Sequence, residues 1–244
     1  MSHAITKRQL REQRRAEREA AEQAERARAT RRRRLIGLGG AVGLAAVVLA
    51  AAIALSSGGG STPPAAHPAA LVRGIPEHNG VLGKPSAPTT VTEFIDLQCP
   101  ICARTSQDLM PSVIRDYVRT GKVKLQARTL HFIGPDSARA ARFAAAAQAQ
   151  GRLWPFVETF YAQQGRENSG YVTDAFLRTI AAESGVNAGK ALAYAGTVRA
   201  QKPLTRADAE AARLGVNGTP TFVVRHRNGA PQVVSADGLV AALS

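Results

Sequence analysis

The chain of 244 residues contains two cysteines, Cys99 and Cys102, three apart in the run Gln98-Cys99-Pro100-Ile101-Cys102. A thiolate is both the nucleophile and the metal-ligating form of cysteine, so this pair admits three chemistries. A zinc site requires about four ligands, and His3, His67, His78, His131 and His226 offer no pair at the usual ligand spacing to complete one. An inert structural disulfide across three positions closes too short a loop to restrain much of the unfolded chain. With no further cysteine, a framework of several staples is excluded. Reversible thiol–disulfide exchange uses the spacing best, with Cys99 as nucleophile and Cys102 as the resolving thiol that releases a mixed disulfide.

That chemistry needs a particular setting. The residues Thr90–Leu97 (TVTEFIDL) are β-branched and apolar, the composition of a buried strand. The cysteines follow at once, which puts Cys99 at a helix N-terminus, where unpaired N–H groups and the helix dipole favour a thiolate. Met110, Val113, Ile114, Tyr117 and Val118 continue an amphipathic helix with a kink at Pro111 and a stop at Gly121. Val123–Leu130 alternates as a second strand. Helical segments follow at Ser137–Gln150, Leu153–Gln163, Thr173–Ser184, Ala188–Ala195 and Thr205–Leu214, broken by glycines and by Pro203, with Thr173 and Thr205 as N-caps. Trp154, Phe156, Phe160 and Tyr161 lie at helical spacing and belong to the core. Strands at Thr221–Val224 and Gln232–Val234, joined through an Asn228-Gly229 turn, precede a final helix after Ala236. Arg225, His226 and Arg227 read as a solvated basic turn.

The amino-terminal quarter has another character. Residues 1–34 hold 12 Lys and Arg against 5 Glu, half of the net charge of +14, with no apolar face to bury. A basic balance confined to such a leader gives no reason to expect a nucleic-acid partner. Leu35 to Leu55 is 21 residues without a charged side chain, about 31 Å as a helix against a hydrocarbon core of about 30 Å. The adjoining Arg31–Arg34 cluster places the leader on the cytoplasmic side and residues 57–244 outside. A cleaved signal peptide is the competing reading, but its apolar region is normally 7–15 residues. Residues 56–75 begin with a Gly/Ser/Pro-rich stretch and read as a flexible linker, with the folded unit running from 76 to 244.

Phe94–Cys102 (FIDLQCPIC), the Gly218-Thr219-Pro220-Thr221-Phe222 run and the helical block between them resemble the DsbA-like thiol–disulfide oxidoreductases of Gram-positive and actinobacterial membranes. The resemblance covers about residues 76–244. It implies an α/β thioredoxin-like fold with an inserted helical domain at about 137–204, here preceded by a single N-terminal transmembrane helix. It implies that Glu93 is the buried acid beneath the redox pair, the alternative from sequence alone being an exposed strand edge. A carboxylate among apolar strand neighbours is costly to bury, which points to a function, and accepting or donating the proton of Cys102 is the expected one. Pro220 matches the family's cis-proline, although a Gly-Thr-Pro run by itself says only that a turn precedes a strand. Thr219 would then offer its backbone to a substrate, with Pro100 and Ile101 beside it. Ile101 departs from relatives that carry a His in that slot, which leaves the oxidising power open. No bound cofactor is expected, because the Cys99–Cys102 disulfide itself carries the electrons. The resemblance further implies exported thiol proteins as substrates and a membrane reoxidant that is DsbB-like or like vitamin K epoxide reductase. A reductase or isomerase, and a non-catalytic binding module, are the alternatives.

Overall fold

The computed structural model describes residues 68–243. The basic leader, the apolar run 35–55 and the first part of the linker lie outside these residues. Among the described residues no helix is long and apolar enough to cross a membrane.

Two long strands form the centre: β3 (Thr89–Asp96) and β4 (Val123–Leu130) run parallel, with Glu93 opposite Ala127. Ahead of them come β1 (Glu77–His78) and β2 (Val81–Leu82); after them come β5 (Thr221–His226) and β6 (Gln232–Val234). The sheet order is β1-β2-β4-β3-β5-β6, and all pairs except β3–β4 are antiparallel. β3 therefore has a neighbour on each side. Its two faces diverge in role. Val91, Glu93 and Ile95 face the main core, whereas Phe94 packs with Leu130 and Val223 against the other layer.

The helices are α1 (Pro100–Asp108), α2 (Met110–Val113), α3 (Pro135–Ala149), α4 (Leu153–Ala162), α5 (Asp174–Ser184), α6 (Ala188–Ala195), α7 (Val198–Leu214) and α8 (Ala236–Ala242). The parallel β3–β4 pair requires a crossover, supplied by α1, α2 and a widened π turn at Ile114–Val118. Pro111 has no N–H to offer its preceding turn, and the helical path breaks at Leu109, in front of it. The chain then inserts α3 to α7 between β4 and β5. Ala207 and Ala211 of α7 cover the second face of the sheet. Trp154, Phe156, Phe160 and Tyr161 are buried in the main core, and the Trp154 indole N–H donates to the Gly80 carbonyl at 3.0 Å.

Three local expectations change. Residues 68–75, assigned by composition to the linker, belong to the fold: Pro68–Ala70 forms a 3-10 turn, Val72 is buried, and Arg119 donates to the carbonyls of Leu71 and Arg73. Helix α7 starts at Val198, not Thr205, and runs through Pro203. Proline cannot donate to the Arg199 carbonyl one turn back, and the Tyr194 hydroxyl reaches that carbonyl instead at 3.5 Å. Thr205, inside the helix, donates back to the Gln201 carbonyl rather than capping. Thr173 does cap α5, its hydroxyl accepting from the Phe176 N–H at 3.2 Å. Finally, Arg225 and His226 belong to β5, and the His226 ring nitrogen pairs with the Thr89 hydroxyl.

Candidate active site

Strand β3 ends at Asp96, and what holds the next three residues fixes the nucleophile. The Asp96 carboxylate accepts from the Gln98 N–H at 2.9 Å, from the Ser137 hydroxyl at 2.6 and 2.7 Å and from the Ile133 N–H at 3.3 Å. Its carbonyl accepts from the Cys99 N–H and the Tyr161 hydroxyl. Gln164, just past α4, donates to the carbonyls of Leu97 and Cys99. The inserted helices thus clamp the turn that presents the cysteines. Burial raises the pKa of Asp96, and these donors oppose the rise.

Cys99 is the N-cap residue of α1, with extended backbone, and its sulfur accepts the Cys102 N–H at 3.3 Å. A thiol sulfur here occupies the place usually taken by a serine or aspartate oxygen, so charge on it meets the free N–H groups of the first turn. The Cys102 thiol is the strongest donor to that charge; the Thr219 hydroxyl and the N–H groups of Cys102 and Ile101 add to it, against partial burial. Together they lower the Cys99 pKa from an ordinary 9.0 to about 6. When protonated, Cys99 donates to the Thr219 carbonyl at 3.3 Å. Cys99 is 5% exposed and Cys102 0%. Burial, then the hydrogen bond and charge of Cys99, push the Cys102 thiol far above its usual range. Both cysteines are free thiols. The pair is therefore asymmetric, with one reactive thiolate and one thiol that holds its proton.

The remaining sequence-selected residues gather around this pair. Thr219-Pro220 is a cis peptide immediately before β5, with Thr219 against Cys99. Pro100 occupies the first turn of α1 and is exposed, and Ile101 is 51% exposed at the rim. Glu93 is 3% exposed, on the face of β3 that looks into the core containing Cys102, and not at a strand edge. Burial first, and the nearby Glu158 second, raise its pKa to about 8.

Two neighbours of the pair on α4 were not read from the sequence as part of the site: Glu158, and Tyr161, which was assigned to the core. Glu158 is 5% exposed, accepts from the Ser106 hydroxyl at 2.8 Å and is raised by burial to about 7. Burial, followed by the charges of Cys102 and Glu93, raises the Tyr161 hydroxyl well above its usual value. A lone carboxyl in the otherwise apolar LWPFVETFYA segment was the available signal for Glu158. No group of acidic, His and Cys side chains fit to hold a metal ion occurs among the described residues.

Known proteins resemble this chain in sequence and fold. A family model described as Thioredoxin matches residues 77–242. A probable disulfide bond formation protein D of Bacillus anthracis is 35% identical over 104 residues, which are 42% of this chain and 48% of that one. The chain thus spans about half the length of the curated relatives it matches. Among solved structures, oxidised BdbD from Bacillus subtilis aligns with a TM-score of 0.60 at 23% identity, over 70% of this chain and 94% of that one. A thioredoxin-like oxidoreductase from Silicibacter pomeroyi aligns with a TM-score of 0.55 at 30% identity, over 67% of this chain and 88% of that one. A match over more than half of the chain settles the kinship: the chain belongs to the thioredoxin family.

Proposed function

We propose that the protein oxidises cysteine pairs in exported proteins by passing on its Cys99–Cys102 disulfide. A substrate thiolate attacks the Cys99 sulfur, the Cys99–Cys102 bond breaks, and its electron pair goes to Cys102, which takes up a proton. A second substrate thiolate then attacks the substrate sulfur of the mixed disulfide, and Cys99 departs as a thiolate. The substrate loses two electrons and the enzyme dithiol gains them. The observation that carries this reading is the Cys99 sulfur at the N-cap of α1, charged near neutral pH while Cys102 remains a thiol. A good leaving thiolate favours release of the oxidised product.

Glu93 is the acid that protonates Cys102 on leaving and takes the proton back on reoxidation, since it is buried on the same side of the sheet and holds its proton near neutrality. The Thr219 backbone beside the cis Pro220 receives an extended substrate segment, and Pro100 with Ile101 forms the apolar rim it crosses. The 35–55 run anchors the chain in the membrane with the redox domain outside, where disulfides persist. Reoxidation falls to a quinone-linked membrane partner, DsbB-like or resembling vitamin K epoxide reductase. One observation favours a less oxidising role, reduction or isomerisation: Ile101 puts no positive charge beside Cys99.

Refolding of reduced ribonuclease tests the proposal. The oxidised chain restores ribonuclease activity, whereas Cys99→Ser does not; equal recovery with Cys99→Ser would remove the enzymatic reading.

A further inference from the structure

The exchange reaction moves a proton as well as electrons, and the proton's route is the less obvious half. Cys102 is fully buried, and Glu93, which serves it, is 3% exposed on a strand with a neighbour along each edge. No hydrogen bond from the described residues reaches the Glu93 carboxyl; the neighbour that acts on it is Glu158. A buried carboxyl without donors is an expense that calls for a use.

Glu158 lies on α4, which packs against the redox helix α1. It lines a surface pocket of about 440 Å³ together with Pro68, Leu71, Ser106, Gln107 and Pro111. One carboxyl oxygen is fixed by the Ser106 hydroxyl of α1 at 2.8 Å, on the helix that carries Cys102. The groups that face it are few. Helix α1 presents Ser106 and keeps Arg104 and Asp108 exposed, β3 presents Glu93, and the turn at Pro68–Ala70 brings no charge. On α3 Asp136 accepts from Gly170, Arg139 pairs with Asp174 of α5, and Arg142 donates to Ala195; on α5 Glu183 accepts from Gln163 and Arg178 is exposed. The charge of Glu158 thus acts on Glu93, with no cation paired to either carboxyl.

We propose that Glu158 is a relaying acid that passes protons between solvent in this pocket and Glu93, which exchanges them with Cys102. This rests on the oxidoreductase reading above. When Cys102 leaves the disulfide as a thiolate, Glu93 gives it a proton, Glu158 restores the proton of Glu93, and water in the pocket restores that of Glu158. One proton enters from solvent for each Cys102 thiol formed, and the sequence reverses on reoxidation. Burial raises the pKa of all three groups, so Glu158, Glu93 and Cys102 can each hold a proton to pass on. Glu158 touches no reacting sulfur; it is a positioning residue for the proton and acts through Glu93. The inserted helical domain, which supplies α4, thereby serves the proton balance of the pair as well as its clamp.

The test is the rate of reduction of the oxidised full chain by a dithiol peptide between pH 5 and 9, in Glu158→Gln, Glu158→Asp and Ser106→Ala. In Glu158→Gln the rate near pH 7.5 falls about tenfold, a modest share of what general acid catalysis supplies, and one ionisation disappears from the profile. Glu158→Asp retains that ionisation. Ser106→Ala moves it upward, because the lost hydrogen bond favoured the carboxylate. A Glu158→Gln profile that superimposes on the parent, or one lowered equally at every pH and matched by Glu158→Asp, overturns the relay. Should Glu158→Gln fail to fold, an unmoved profile in Ser106→Ala does the same. Cys99→Ser is run in parallel, and exchange surviving there refutes the underlying activity rather than the relay.

Discussion

Replacing Cys102 by alanine removes the leading donor to the Cys99 thiolate while leaving the backbone N–H of position 102 in place. A hydrogen bond to a charged group contributes about 1.5–3 kcal/mol, which is about one to two pH units in the midpoint of the group that receives it. The Cys99 midpoint, about 6 in the parent, therefore moves to between about 7 and 8 in Cys102→Ala. At pH 6 the parent is half ionised and the variant between roughly one-tenth and one-hundredth, so capture by iodoacetamide slows about 5- to 50-fold there. By pH 9 the two converge. Intrinsic nucleophilicity rises with pKa, so the quantity to compare is the midpoint of the full rate profile rather than the rate at one pH. Cys102→Ser keeps a hydroxyl donor and falls between the two. A Cys102→Ala midpoint indistinguishable from that of the parent would refute the account of Cys99 activation.

The Glu93 carboxyl has a folded pKa raised from 4.5 to about 8, so the stability it allows is complete below 4.5 and is lost as pH rises through about 8. Glu93→Gln, which has no proton to lose, is accordingly more stable than the parent by about 3 kcal/mol at pH 7 and level with it at pH 4. Urea unfolding of the reduced proteins at the two pH values measures this, and a pH-independent difference would contradict it. Ile101→His places a cation beside the Cys99 thiolate and raises the reduction potential by on the order of 30 mV for each tenfold stabilisation of the thiolate. A glutathione redox titration in which the variant equals the parent would show that position 101 does not reach the Cys99 charge.

How far the sequence spoke for itself varied with the length of the signal. β3 and β4 announced themselves through eight residues of β-branched and alternating side chains, and the Cys-x-x-Cys between strand and helix followed from them. The β1–β2 hairpin did not, although Asn79-Gly80 lies between its strands, because two-residue strands are too short for any alternation to appear. Pro203 looked like a helix break because propensity speaks only of the backbone bond it removes; the Tyr194 hydroxyl that meets the stranded Arg199 carbonyl comes from the preceding helix. Glu93 was legible through the family resemblance, which places a buried acid six residues before the first cysteine. Glu158 and Gln164 reach the same site from more than fifty residues away, through helix packing that no local pattern encodes.

Helix α3 has a mutational consequence of its own. Ala140, Ala141, Ala144, Ala145, Ala146 and Ala147 are all buried, and the helix meets α4, α5, α6, α7 and β4. Truncation, the usual way to weaken an interior, has almost nothing left to remove there apart from Phe143. The sensitivity is inverted: each added methylene must push a neighbouring helix aside, at about 1–3 kcal/mol for a tightly filled site. Variation tolerated over time along this helix should therefore be capped from above in side-chain size, a ceiling rather than a floor, and substitutions that most interiors would welcome as better filling would here wedge the inserted helices off the sheet.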